Sequence, residues 1–196
     1  ALLSNILPRS IAQRLKDGET FIADNFSNAT VLFADLSGFT AISALISAKD
    51  LVMLLNNVFS FFDELVIKHS LEKIKTIGDN YMLAGGIPEP SDNHAIGVAK
   101  MALDMLDAIP KINKKINQSI SIRIGISTGA LSAGIIGKNK FIYDLWGDTV
   151  NIASRMETYG YKNKIHISQF TYNILKEHFK FTKRNKIYVS GKGPMQ

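Results

Sequence analysis

Apolar and polar positions change period several times along the chain. Residues 29–36 (ATVLFADL) form an apolar, β-branched run closed by Ser37-Gly38, which predicts a buried strand. A short helical stretch follows Phe39. From about Lys49 to His69, the positions Leu51, Leu54, Leu55, Val58, Phe59, Phe62, Leu65 and Val66 recur at helical spacing on one broad face. Residues 72–77 (EKIKTI) alternate as a strand, Gly78-Asp79 marks a turn, and 80–84 (NYMLA) form the returning strand. Residues 91–109 read as a helix with Ser91 or Asp92 as its cap. Residues 119–127 (SISIRIGIS) alternate strictly, and 131–136 read as a further strand before Gly137. A helix over 147–157, a strand over 164–167, a helix over 168–178 and a strand over 186–190 complete the chain. At its beginning, Ile6, Leu7, Ile11 and Leu15 make an apolar stripe between Pro8 and Gly18, a short helix that needs a partner surface. The order β-α-β-β-α-β predicts an α+β, ferredoxin-like core. Its sheet is antiparallel-dominated with helices on one face, and extra elements follow at the C-terminus.

At 196 residues, with 46% hydrophobic and 20% charged positions, the chain fits one compact domain and excludes a disordered segment. No apolar run approaches the ~20 residues that cross a bilayer, so no membrane contact is expected of this domain. Cysteine is absent, which excludes disulfides, thiolate zinc sites and cysteine nucleophiles and agrees with a cytoplasmic setting. Both ends, Ala1 and Gly191-Lys192-Gly193-Pro194-Met195-Gln196, read as cut points in a longer protein, soluble or membrane-bound. The net charge of +6 suits a polyanionic ligand such as a nucleotide. There is no RNP1-like stretch, so no nucleic acid is expected. Phosphate-loop, GxGxxG, GxSxG and HExxH signatures are all missing. His69, His94, His166 and His178 show no metal-ligand spacing and read as structural or surface residues.

Four places remain that can do chemistry. Asp35 ends an apolar strand just before a glycine turn into a helix, where a charge is costly without a partner. It serves either as a cap or as a metal ligand, with the main-chain N–H groups after it facing phosphates. Asp79 sits at a hairpin turn. In a ferredoxin-like sheet the first strand lies beside that hairpin, so Asp35 and Asp79 can converge. Two facing carboxylates repel unless a divalent cation lies between them, and oxygen-only ligation suits Mg²⁺ or Mn²⁺. Asn151 and Arg155 are i,i+4 neighbours on one helix face, opposite Val150, Ile152, Ala153 and Met156. They read either as a solvated face or as a grip on ribose and phosphate. Lys75 precedes the hairpin on a strand, a place where a lone lysine normally faces solvent. Trp146 is expected to pack.

These residues resemble the class III nucleotide cyclases, the catalytic domains of adenylate and guanylate cyclases. The likeness is carried by VLFADLSGFT (31–40), KIKTIGDNYM (73–82), SIRIGISTGALSAGIIG (121–137) and YDLWGDTVNIASRME (143–157). It implies a catalytic domain over 26–196, preceded by a signalling helix or linker remnant (1–25) that joins an upstream sensor domain. It also implies a head-to-tail homodimer with active sites at the interface. One chain would supply Asp35, Asp79 and the Leu36 main chain to two Mg²⁺ or Mn²⁺ ions per active site. The other would supply Lys75 and Asp144 to the purine, Asn151 to the ribose and Arg155 to the transition state. Phe39, Thr40 and Lys192 would complete substrate binding. Lys75 and Asp144 resemble the adenine-specific type, so the implied reaction turns ATP into 3′,5′-cyclic AMP and pyrophosphate. The alternatives are a guanylate cyclase and a non-catalytic regulatory domain. The pattern departs at Ser190, where the family commonly has a phosphate-binding lysine, with Lys138 or Lys192 available to compensate. It departs also at Ala130, where some members carry arginine, and at Ser127 in place of a commoner His or Asn.

Overall fold

The computed structural model describes residues 6–137, 141–189 and 193–195; Lys138, Ser190 and Lys192 lie outside them, and of Thr40 only the main chain is described. The elements are α1 (Arg9–Lys16), β1 (Ala23–Ser37), α2 (Phe39–Ser43), α3 (Ala48–Lys68), β2 (Glu72–Ile77), β3 (Asn80–Gly85), α4 (His94–Ile116) and β4 (Ser121–Ile136). They continue with β5 (Ile142–Trp146), α5 (Asp148–Thr158), β6 (Lys164–Ile167), α6 (Gln169–Leu175), β7 (Ile187–Val189) and β8 (Gly193–Met195). The main sheet runs β2-β3-β1-β4-β5, all antiparallel, and β6 joins β4 in parallel. The first four strands stand in the ferredoxin-like order, as expected. β7 and β8 form a separate ribbon.

Period-two alternation sorts β1 onto two faces. Leu32, Ala34 and Leu36 join Ile120, Ile122, Ile124 and Ile126 beneath α3 and α4. α3 begins at Ser47, whose hydroxyl accepts from Asp50 N–H at 3.1 Å. It buries Leu54, Val58, Phe59, Phe62 and Val66. Phe59 and Phe62 meet Tyr81 of β3 at centroid distances of 5.4 and 5.6 Å. The other face of β1 carries Ala29, Val31 and Phe33, which pack with Met82, Ala84, Leu131 and Tyr143. Leu7, Ile11 and Ala12 from the α1 region and Ala153 of α5 cover this second core. Helices therefore lie on both faces of the sheet, not on one. Leu7, Ile11 and Leu15 of the expected stripe find their partner surface there, while Ile6 stays exposed.

Four boundaries differ from the sequence expectation. α4 runs through Pro110 to Ile116, because Ile109 and Ile112 bury on either side of the proline and outweigh one lost hydrogen bond. It ends at Asn117, whose φ of 52° gives the left-handed close of a helix. β4 is one strand of 16 residues where two were expected. The irregularity falls on β1 instead, as a register shift between Phe26 and Ala29. β5 had no sequence prediction. Its Tyr143 and Leu145 face the core while Ile142 and Trp146 face out. Trp146 is 39% exposed, contrary to its expected packing role, because it lies on the outer face of an edge strand. β1 also begins at Ala23, six residues ahead of the strand expected over 29–36.

α5 lies unusually close to β4. A Cβ built on Gly125 would stand 2.0 Å from Glu157 N and 2.4 Å from Ala153 O, so only glycine admits the helix main chain here. Gly97 on α4 is different: a Cβ there meets only Leu71 Cδ2 at 3.6 Å and His69 O at 3.8 Å. Gly125→Ala is expected to destabilise by at least the 1–3 kcal/mol typical of overpacking, or roughly 2–4 °C per kcal/mol at this size. Gly97→Ala should stabilise by about 0.5–1 kcal/mol. Urea titration of both variants checks the contrast.

Glu72 on β2 provides a second stability prediction. Burial pushes its carboxyl from 4.5 up to about 7. Between those two values the unfolded chain has released a proton that the folded chain retains, so stability falls as pH rises through the window and levels off above it. Glu72→Gln should flatten that slope and add about 1–2 kcal/mol at pH 8, a figure discounted for partial exposure. Denaturation midpoints at pH 5 and pH 8 measure it.

Candidate active site

The end of β1 is where charge first enters the apolar sheet. Asp35 lies between two neighbours in register, Asn80 of β3 and Arg123 of β4. Leu36 N–H donates to Asp79 O at 3.2 Å, which fixes the β2–β3 turn beside it. Gly78, at φ 61°, makes that turn possible. Asp35 and Asp79 are thus brought together, as expected. Burial, and then the neighbouring Asp79 charge, raise the Asp35 pKa; the Arg123 guanidinium opposes them.

Arg123 is the residue that sequence reasoning missed. Its Nη2 donates to Asp35 Oδ2 at 2.7 Å and its Nε to Glu157 Oε1 at 3.0 Å. Glu157, on α5, is only 4% exposed. Burial raises its pKa first and the Asp35 charge second, with Arg123 acting against both. Asn80 Nδ2 donates to the other Glu157 oxygen at 3.4 Å. The signal for this cluster was present in the chain. Strict alternation in SISIRIGIS puts Arg123 on the face of Gly125 and opposite the isoleucines, and Glu157 continues the buried Ala153–Met156 stripe. A charge at each of those positions needs the other.

Two carboxylates and main-chain oxygens are what this site offers a cation. Among the described residues no group of three or more His, Cys, Asp and Glu side chains converges on one metal position. That donor set fits Mg²⁺, which is commonly held by one or two carboxylates and completed by substrate phosphates and water. Asp35 suits such an ion: it is half-buried, and Asp79 raises the cost of its charge. Phe39 contributes differently from a ligand-facing side chain. Its ring is 8% exposed and packs into the core under α3, which leaves only its main chain to face a ligand.

The second cluster joins the two edges of the sheet. Lys75 of β2 and Asp144 of β5 form an ion pair through Nζ and Oδ2. The other Asp144 oxygen accepts from Leu145 N–H at 2.8 Å, which orients the carboxylate. Lys75 therefore faces a partner and not open solvent. Asp144 shares the outer face of β5 with Ile142 and Trp146.

α5 supplies the third group. Thr149 Oγ1 donates to Ala130 O at 2.7 Å and ties the start of the helix to β4. Ala153, Met156 and Glu157 are buried, while Asn151 is exposed and Arg155 half-buried on the same side. Neither Asn151 nor Arg155 has a side-chain partner among the described residues, and neither pairs with Asp35 or Asp79. Among the described residues, Arg123 links Asp35 to α5 through Glu157, on the buried side of that helix.

Residues 21–196 match the family model for the adenylate and guanylate cyclase catalytic domain. The chain is 44% identical over 197 residues to an adenylate cyclase of Mycobacterium tuberculosis, covering all of this chain and 44% of that protein. It is 42% identical to the human guanylate cyclase soluble subunit beta-2, covering 99% of this chain and 32% of that one. It spans less than half the length of these relatives. The catalytic core of a rhodopsin-guanylyl cyclase with converted specificity, solved with ATPαS, superposes with a TM-score of 0.85 at 38% identity over 88% of this chain and 94% of that one. No described helix is long and apolar enough to cross a membrane. On the family match, on relatives of both specificities and on this architecture, the chain belongs to the adenylate and guanylate cyclase catalytic-domain family.

Proposed function

We propose that this domain is an adenylate cyclase, converting ATP to 3′,5′-cyclic AMP and pyrophosphate. The observation that carries the adenine assignment is the Lys75–Asp144 pair. An ammonium beside a carboxylate offers one donor and one acceptor. The adenine amino group donates to the carboxylate, and a ring nitrogen accepts from the lysine. Guanine presents a carbonyl oxygen where adenine has its amino group, so the Asp144 carboxylate would face another acceptor. The Leu145 N–H holds the carboxylate in one orientation and makes the reading specific.

The reaction is an in-line substitution within one nucleotide. The 3′-hydroxyl oxygen bonds to the α-phosphorus, the bond to the bridging oxygen breaks, and pyrophosphate leaves. The hydroxyl proton passes to water or a substrate phosphate. Asp35, Asp79 and the Leu36 main chain would hold two Mg²⁺ or Mn²⁺ ions. Bound there, such ions supply Lewis-acid activation of the hydroxyl and neutralise the phosphate charge. Asn151 holds the ribose in an attacking geometry, and Arg155 faces the charge that grows on the α-phosphate. Both side chains stand unpaired among the described residues of a single chain, which supports a ligand or a partner subunit as their target.

The site is shared between two copies of the chain in this reading. Ile136 and Ile142, neighbours in register at the β4–β5 edge, are 58% and 53% exposed, and Trp146 lies on the same strand. Apolar side chains of that size along an open sheet edge support a head-to-tail homodimer that covers them. We assign α1 and the turn up to Ile22 to the connection with an upstream sensor, because α1 seals the second core, whereas residues 23–25 of the expected 1–25 segment belong to β1.

The test is kcat/KM for ATP and GTP, in wild type and in Lys75→Glu with Asp144→Cys. Wild type should prefer ATP by roughly a hundredfold or more, since each buried group left unpaired by guanine costs ~1–3 kcal/mol. The double variant should narrow the ratio. Equal use of the two nucleotides by wild type, or an unchanged ratio in the variant, removes Lys75 and Asp144 from base reading, and a preference for GTP in wild type makes guanylate cyclase the better assignment.

A further inference from the structure

The Arg123 guanidinium bridges two carboxylates of different origin. Asp35 belongs to β1 and to the proposed metal site. Glu157 belongs to α5 and is buried against β4, with its second oxygen taken by Asn80. Two edges of the guanidinium are used: Nη2 points to Asp35 Oδ2 at 2.7 Å while Nε points to Glu157 Oε1 at 3.0 Å. Asp35 Oδ1 has no partner among the described residues. One oxygen is thus fixed by the protein and the other left to coordinate.

From this arrangement we propose that Arg123 is the positioning residue of the metal site, locking the Asp35 carboxylate in its ligating orientation while Glu157 locks Arg123. This rests on the reading of Asp35 as a metal ligand. The chain of support runs from the α5 main chain through Glu157 and Arg123 to Asp35. It is anchored by the contact of α5 with Gly125, two residues from Arg123 on the same face of β4. Ligating carboxylates are commonly held this way, and loss of the holding group weakens metal affinity or activity ten- to a hundredfold. A lysine cannot replace the fork, because it offers a point charge and no fixed pair of donors.

The experiment measures Mn²⁺ binding by electron spin resonance in the complex with 3′-deoxy-ATP, which lacks the attacking hydroxyl and does not turn over. Arg123→Met, Arg123→Lys, Glu157→Gln and Arg123→Met with Glu157→Gln are compared with wild type, each checked by its thermal transition. Arg123→Met should weaken Mn²⁺ binding by about ten- to a hundredfold and Arg123→Lys should recover only part of it. Glu157→Gln should weaken binding less, and should add nothing in the Arg123→Met background. Unchanged or tighter Mn²⁺ binding in a folded Arg123 variant would overturn the proposal, as would additive effects of the two positions. Loss of the folded state in both Arg123 variants would assign the residue a structural role and overturn it equally. Asp35→Asn tells the two levels apart. If it keeps wild-type Mn²⁺ binding, or if wild type binds none, the metal reading itself fails whatever Arg123 does.

Discussion

The contact between the α5 main chain and Gly125 is the constraint on which the candidate site depends. No side chain fits between the helix and β4 at that point. Close approach brings Glu157 over the strand at the height of Arg123, and Arg123 stands opposite Asp35 in register. The same helix presents Asn151 and Arg155 on its outer side. Backbone packing therefore bears on the position of four charged groups and one amide at once. A helix held by long side chains would leave each of them with more freedom than in-line chemistry tolerates.

Burial and charge are balanced along this line. Asp35 and Glu157 are both raised by burial and by a neighbouring carboxylate, Asp79 for Asp35 and Asp35 for Glu157. One guanidinium between them offsets part of that cost without filling the open side of Asp35. The Lys75–Asp144 pair solves a similar problem at the opposite side of the sheet, where two edge strands come together. In both places a charge that would be costly alone is kept by a partner, and each partner leaves a polar atom or face for a ligand.

Much of this was readable from the chain. A β-branched apolar run located β1, period-two alternation located β2 and the first half of β4, and the Gly78-Asp79 turn placed Asp79 near Asp35. The convergence of those two aspartates followed from the order of the strands. What escaped was whatever depends on the second face of the sheet. β5 is short and apolar on both sides, since Tyr143 and Leu145 meet the core while Ile142 and Trp146 stay outside, so it shows no period. α4 continues past Pro110 because tertiary burial overrides a local breaker. Arg123 looked like one polar position in an alternating strand, and its partner Glu157 lies 34 residues away. Only the docking of α5 shows that they meet. Lys75 was placed on a strand, but its partner sits on a strand whose existence the pattern did not disclose.

The central claim is that one chain contributes carboxylates to a site whose ribose-holding Asn151 and phosphate-facing Arg155 come from the other. Mixing Asp35→Asn with Arg155→Ala tests it most directly. Each variant alone should be inactive. In the mixture, every heterodimer regains one intact site of two, so free exchange should restore up to about a quarter of the wild-type rate at equal total protein. No recovery, in a mixture where heterodimers are demonstrated, would contradict a shared site.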